Sequence, residues 1–396
     1  MTENTRISSI AAMGGLIMIS MLFLNDLNLP GVQTLTGKSA SYFFGMGLAD
    51  WIFPGFLFVI GMVIPFSINK RFSEGKDTFS VAKHIIGKSI SLLIIGVLML
   101  NSQRVDPDIT GMSKYIWTMF MYVGIFLVWN RYTENDKNFF TISGLKLVGL
   151  TILIALVLKF GSGEIENNGS LITSSWGVLG IIGWGYLISA LVYLAVRNSI
   201  LNTVVALLFF LALNILSNLN LLNSLDIAKP IFGVIIEGSV PIFVLSGLLT
   251  ILILEKYSNI NSLRGILTVA AIGAISVISG LVLQKVIIGT GPAIFFGLPL
   301  FYSGICMIFY VIFYYLIEIK NDVNWSSFLQ SAGKNAYTIF LVSYFMYNLI
   351  LLTGIPVFFY KQATISIGYL TGSAIFTLLV VAISVLLGKL NVRLKI

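Results

Sequence analysis

Three acidic residues interrupt otherwise apolar stretches of this 396-residue chain: Asp26, Asp50 and Glu237. An ionised side chain is costly to hold within a hydrocarbon layer, so each is a functional candidate by default. Asp26 ends the run Leu22-Phe23-Leu24-Asn25-Asp26, and Asn25 adds an amide beside it. Asp26 also suits a simple interfacial position. Asp50 opens Trp51-Ile52-Phe53-Pro54, where a carboxylate can equally cap a helix and suit its dipole. Glu237 lies within the apolar stretch Ile231–Leu254, about 9 Å along it as a helix. Pro241, four residues on, lacks the N–H that would bond the Glu237 carbonyl. A carboxylate beside a freed carbonyl in a kinked helix suits contact with a polar ligand or an ion. Lys38, Lys229 and Lys285 are the nearest cations on the same expected side. His84, the one histidine, follows Lys83 and has an unperturbed pKa near neutrality. It reads either as a helix-end structural residue or as a cofactor contact on the opposite, cytoplasmic side.

The elements that must position these groups are membrane helices. Apolar residues make up 57% of the chain and charged residues 10%, with a mean hydropathy of +0.96. A soluble domain carries about 25% charged residues. Soluble, disordered and fibrous classes are therefore excluded. A membrane helix needs about 20 mostly apolar residues, and the apolar runs lack the alternation of barrel strands. The fold expected is an all-α polytopic bundle of about twelve spans. The first six are Ile7–Leu24, Trp51–Ile68, His84–Leu100, Tyr115–Trp129, Leu145–Phe160 and Trp176–Val196. The rest are Ile200–Ile215, Ile231–Leu254, Leu263–Leu283, Ala293–Ile317, Tyr337–Leu352 and Ile365–Leu387. Eleven is the alternative, because Ile200–Ile215 is short and runs into the Asn/Leu-rich 217–225. With a cytoplasmic N-terminus, 17 of the 24 lysines and arginines fall on inner segments and 7 on outer ones. That excess predicts both termini inside. Lys70, Arg71, Lys76, Lys83 and Lys88 form the strongest inner cluster. No small-residue cleavage site follows the first apolar run, which reads as a retained helix. No loop is long enough for a soluble domain, so residues 1–396 are expected to form a single transmembrane domain.

Several chemistries are excluded. Cys306 is the only cysteine and His84 the only histidine, which removes internal disulfides, cysteine clusters and multi-histidine metal sites. No metal is expected. The net charge of +8 follows membrane topology, and no nucleic-acid partner is expected. No phosphate-binding glycine loop, HExxH helix or GxSxG elbow is present.

The chain contains, in order, Arg6-Ile7-Ser8-Ser9-Ile10, Asn25-Asp26-Leu27, Gly45-Met46-Gly47-Leu48-Ala49-Asp50-Trp51-Ile52-Phe53-Pro54-Gly55-Phe56-Leu57-Phe58 and Ile64-Pro65-Phe66-Ser67-Ile68. The stretch His84 to Asn101, Trp176–Leu187, Glu237-Gly238 and Ala332-Gly333-Lys334-Asn335-Ala336-Tyr337 follow. Together these segments resemble the bacterial heparan-alpha-glucosaminide N-acetyltransferase-like family of membrane acyltransferases. The resemblance implies transfer of an acetyl group from cytoplasmic acetyl-CoA to a sugar amine across the bilayer. In the family that group passes through, or is activated by, a histidine in the first outer loop. Here residues 35–44 contain no histidine, and Lys38 or Ala40 falls in its place, depending on the gap. The family's first-helix Asp and Arg positions match Ala11 and Gly14. Asn25, Asp50 and Glu237 carry over.

The function so implied is that of a membrane acyltransferase homologue acting on a cell-envelope glycan or lipid-linked sugar in the bacterial inner membrane. Asp50, Asn25, Asp26 and Lys38 are the expected catalytic group, Glu237 and Lys285 the substrate contacts, and His84 the acetyl-CoA contact. An acyl-lysine at Lys38 is an amide and a poor donor. Direct transfer then needs a carboxylate such as Asp50 as general base, with both reactants held together. The bilayer and the glycan are the expected partners, and a homo-oligomer is compatible with the sequence. Two other classes stay open: a non-catalytic glycan- or lipid-binding protein, and a transporter coupled to ions through Glu237 and Asp26.

Overall fold

The structure, a computed structural model, describes residues 3–27, 51–132, 139–163, 169, 171–172, 176–258, 262–288, 297–357, 367–390 and 392–394. The regular structure of these residues is helical, and the one β-type pairing among them is an isolated antiparallel bridge between Asn130 and Leu394. The helices run α1 Glu3–Leu27, α2 Ile52–Ser73, α3 Thr78–Ser102, the single turn α4 Pro107–Thr110, α5 Lys114–Trp129, α6 Phe139–Leu158, α7 Gly177–Val196 and α8 Ile200–Asn218. They continue with α9 Lys229–Ile236, α10 Ser239–Tyr257, α11 Ser262–Ile288, α12 Leu298–Tyr314, α13 Ser327–Lys334, α14 Ala336–Thr353 and α15 Ile367–Lys389. Ten helices among the described residues are long and apolar enough to cross a membrane. Lys114–Trp129 and Ile142–Leu158 are shorter apolar helices. α8 reaches Asn218 and counts among the ten, so the polar residues beyond Ile215 lengthen that span. The chain is an integral membrane protein by these helices.

The chain divides into two compact units rather than following one contiguous block. The first comprises Met1–Ile17, Tyr42–Leu93 and Leu179–Gly333; the second comprises Met18–Ser41, Ile94–Val178 and Lys334–Ile396.

In the first unit α10 is the central helix, buried at every residue from Val240 to Leu254. Lipid is as apolar as leucine, so burial alone does not drive helices together in a bilayer; close packing does. The α2–α10 crossing shows this. A Cβ on Gly61 would lie 1.8 Å from the Val244 carbonyl oxygen, and one on Gly247 would lie 1.9 Å from that of Phe58. Only glycine fits at either point.

In the second unit α5 packs on α6, and the Trp117 indole N–H donates to the Leu156 carbonyl at 3.3 Å. The segments after α3 and before α7 are stitched together: Asn101 Nδ2 donates to the Ile172 carbonyl and the Ile172 N–H returns to Asn101 Oδ1, both at 2.9 Å. At the other end of α5, the Arg131 N–H donates to the Arg393 carbonyl at 2.7 Å, and the Arg393 N–H donates to Asn130 Oδ1 at 2.9 Å.

Candidate functional site

Glu237 is where the structure departs most from the sequence expectation. The expected kinked span is two helices. α9 ends at Ile236, Gly238 turns with φ +68°, and α10 restarts at Ser239. Pro241 is thus the third residue of α10, where an N–H would have no intrahelical partner, so proline costs nothing there. The Glu237 carbonyl is free of the helix but not of partners: Asn214 Nδ2 on α8 donates to it at 2.8 Å. Gly238 is fixed by space as well as by conformation, since a Cβ would come within 2.4 Å of the Phe210 carbonyl oxygen.

The break gathers a distinct set of groups. The Glu237 side chain is exposed. Asn214 is 5% exposed, and its Oδ1 has no hydrogen-bond partner. Trp184 of α7 meets Phe232 of α9 edge to face, with ring centroids 5.7 Å apart. Lys229, expected to serve as a nearby cation, is held by Asp226 at 2.7 Å. A carboxylate and an unpaired amide oxygen can accept hydrogen bonds from hydroxyl or amine groups, and an aromatic pair can cover an apolar face. Asn214, Trp184 and Phe232 were not legible as site residues. An asparagine inside an apolar helix was the available signal, but it carries no charge to draw attention.

Asp26 lies in the second unit and Glu237 in the first. Asp26 is fully buried within the protein, and the Tyr347 hydroxyl of α14 donates to its Oδ1. The Tyr369 hydroxyl of α15 donates to the Leu27 carbonyl next to it. Asn25 is exposed, so these two neighbours do not act on one point. The tyrosines that hold α1 here come from more than 300 residues away in sequence.

His84, half-buried on α3, receives a hydrogen bond at Nε2 from Arg71 Nη2 of α2 at 2.7 Å. A guanidinium only donates, so Nε2 is the acceptor and the ring proton belongs on Nδ1. Lys88 belongs to the cluster expected at the inner ends of the second and third spans. It lies ten residues into α3, about 15 Å along the helix, and its Nζ stands 4.8 Å from the centroid of the Tyr186 ring on α7. Nearby in the same unit the Tyr193 hydroxyl lies 3.0 Å from Asn69 Oδ1 and 2.6 Å from Asn198 Oδ1, and the Arg197 guanidinium covers the Phe72 ring at 4.5 Å.

Asp50 and Lys38 lie outside the described residues. Lys285 falls in the backbone of α11, and its side chain lies outside the description. Among the described residues no three His, Cys, Asp or Glu side chains form a metal-holding group. Cys306 is fully buried and packs as a small apolar residue. A scan of protein-family models gives no match to this chain, and a search of curated proteins gives none either.

Proposed function

We propose that this protein is a membrane acyltransferase homologue that moves an acetyl group from cytoplasmic acetyl-CoA to a sugar amine or glycan of the cell envelope. The observation that carries the reading is the α9–α10 break, which sets exposed Glu237 beside Asn214 of α8, about one and a half turns beyond the Phe232 that packs on Trp184. It joins the sequence resemblance at Glu237-Gly238. In this reading Asn214 and the aromatic pair hold the acceptor. Glu237 takes the proton from the acceptor amine as its nitrogen attacks the thioester carbonyl. The carbon–sulfur bond breaks, the amide forms, and the departing thiolate takes up a proton. Asp50 assists as a base by resemblance, and no covalent acyl-histidine is involved.

The topology proposed is twelve spans with both termini cytoplasmic, in a bacterial inner membrane. Ten long apolar helices and two shorter ones support the count. Helix ends expected on one side also meet within each unit. Arg71, near the end of α2, meets His84, near the start of α3. The 130–131 segment meets Arg393. On the expected outer side, Asn101 meets Ile172.

The test is acetyl transfer to glucosamine by the purified full chain in liposomes, with acetyl-CoA binding measured by calorimetry. Glu237→Gln is expected to lower transfer by about 100-fold or more, as for loss of a catalytic base, with acetyl-CoA binding unchanged. Absence of saturable acetyl-CoA binding by folded protein overturns the reading.

A second reading has its own observation. Broken helices with a carboxylate and a free oxygen at the break are a device of ion-coupled carriers, and α9–α10 has that form. Proton- or sodium-dependent uptake lost in Glu237→Gln, without acetyl-CoA binding, selects it.

A further inference from the structure

Lys88 and Arg71 are two cations of the first unit placed without counter-charge. Neither forms an ion pair among the described residues, whereas Lys229 is paired with Asp226. Lys88 lies within a 25-residue apolar helix, where an unbalanced ammonium is costly. Its contact is the π-face of Tyr186, which supplies a quadrupole but no negative charge. Arg71 acts electrostatically on both Lys88 and Tyr186. One of its N–H groups is spent on His84, and the bond to a neutral imidazole orients the guanidinium while leaving its charge intact.

A second observation points the same way. The Tyr186 hydroxyl is buried, the residue being 4% exposed, and has no hydrogen-bond partner. Ser189, three residues on and so on the same face of α7, is 0% exposed and its Oγ is likewise unpartnered. A buried unpaired hydroxyl is destabilising unless something binds it. Two cations and two unsatisfied hydroxyls, with no carboxylate paired to them, ask for an acceptor-only ligand of multiple negative charge. Carboxylate ligands bring one charge and two oxygens. A phosphate group brings up to two charges and three oxygens, and matches a guanidinium fork beside an ammonium.

We infer that Arg71, Lys88 and the Tyr186 hydroxyl form a binding site for a phosphate group, with His84 as the residue that positions Arg71. The phosphate belongs to a soluble phosphate ester or to a lipid headgroup. The inference does not need acyl transfer: a coenzyme A nucleotide is one such soluble ester, for which His84 was the expected contact, and phosphate binding persists if no acetyl transfer is found.

The test uses the full chain in two arms. In detergent, calorimetry measures binding of inorganic phosphate and of adenosine 3′,5′-bisphosphate. In nanodiscs, thermal unfolding is compared between phosphatidylcholine alone and phosphatidylcholine with phosphatidylglycerol. Saturable binding in the first arm identifies a soluble ester; stabilisation confined to the second identifies a headgroup. In whichever arm responds, Lys88→Gln is expected to weaken the effect about tenfold or more. Tyr186→Phe weakens it without loss of thermal stability, since it deletes only an unpaired hydroxyl, and it serves as the readout if Lys88→Gln does not fold. Lys146→Gln is the matched control. Lys146 also stands over a tyrosine ring, 5.8 Å from the Tyr132 centroid, but that hydroxyl already donates to the Leu127 carbonyl. No response in either arm, or equal losses in Lys88→Gln and Lys146→Gln, overturns the inference.

Discussion

Replacing Gly238 by alanine tests whether the α9–α10 break is set by space as well as by backbone conformation. Gly238 has φ +68°, and a Cβ there would stand 2.4 Å from the Phe210 carbonyl oxygen and 3.1 Å from the Asn214 nitrogen. Holding an L-residue in the left-handed region costs about 1–2 kcal/mol. The contact with Phe210 is with backbone, so relief requires α8 and the break to separate by more than half an ångström. That movement strains the Asn214–Glu237 hydrogen bond of 2.8 Å, worth about 0.5–1.5 kcal/mol. The expected loss is about 2.5–6.5 kcal/mol, once overpacking of about 1–3 kcal/mol is included. Gly75 supplies the control, because it has φ +77° and nothing within 4 Å of its Cβ position. Gly75→Ala then carries the backbone cost alone, about 1–2 kcal/mol. Asparagine tolerates left-handed backbone, so Gly75→Asn should recover stability where Gly238→Asn does not. Melting followed by tryptophan fluorescence in detergent reads all four variants. Equal losses in Gly238→Ala and Gly75→Ala would refute the argument that Phe210 closes off this position.

Other outcomes follow from the same contacts. A double-mutant cycle of Asp26→Asn and Tyr347→Phe should give a coupling of about 1.5–3 kcal/mol, as for a charge-assisted hydrogen bond; a coupling near zero would mean that Asp26 is solvated. Gly61→Ala places a methyl 1.8 Å from the Val244 carbonyl oxygen and should cost about 3 kcal/mol or more, measured as lost yield of folded protein; normal yield would contradict the α2–α10 crossing. Asp77, in the turn before α3, is held below its usual value of 3.8 by the Ser80 hydrogen bond first and by backbone N–H groups. A lowered carboxylate value stabilises the fold at pH values above its unfolded pKa and loses that effect as pH falls through the folded value. Ser80→Ala should therefore move the acid loss of stability to higher pH, and an unchanged acid limb would remove Ser80 from that role.

Charge made Glu237 and Asp26 legible before any fold was known. An ionised group stands out in an apolar run, whatever surrounds it. Asn214 and Tyr186 stood out less, because neutral polar groups shift hydropathy little. Their importance lies in a missing partner, which only packing reveals. The contact of Lys88 was hidden for a related reason. A lysine near a helix end extends a positive-inside cluster on paper, and nothing in the sequence says that a tyrosine ring ten positions from the end of another helix will face it.

The sequence by itself determined the class of fold. Every backbone polar group in a bilayer needs an internal partner, so runs of apolar residues of spanning length become helices irrespective of their neighbours. Tertiary structure decided which of those helices breaks and what meets at the break. Proline and glycine near Glu237 were compatible with a kinked helix or two separate ones. The choice fell to the Phe210 carbonyl, which leaves room only for a left-handed glycine, and to Asn214, which satisfies the carbonyl that the break exposes. Both contacts come from α8, more than twenty residues away in the chain, and no local pattern encodes them.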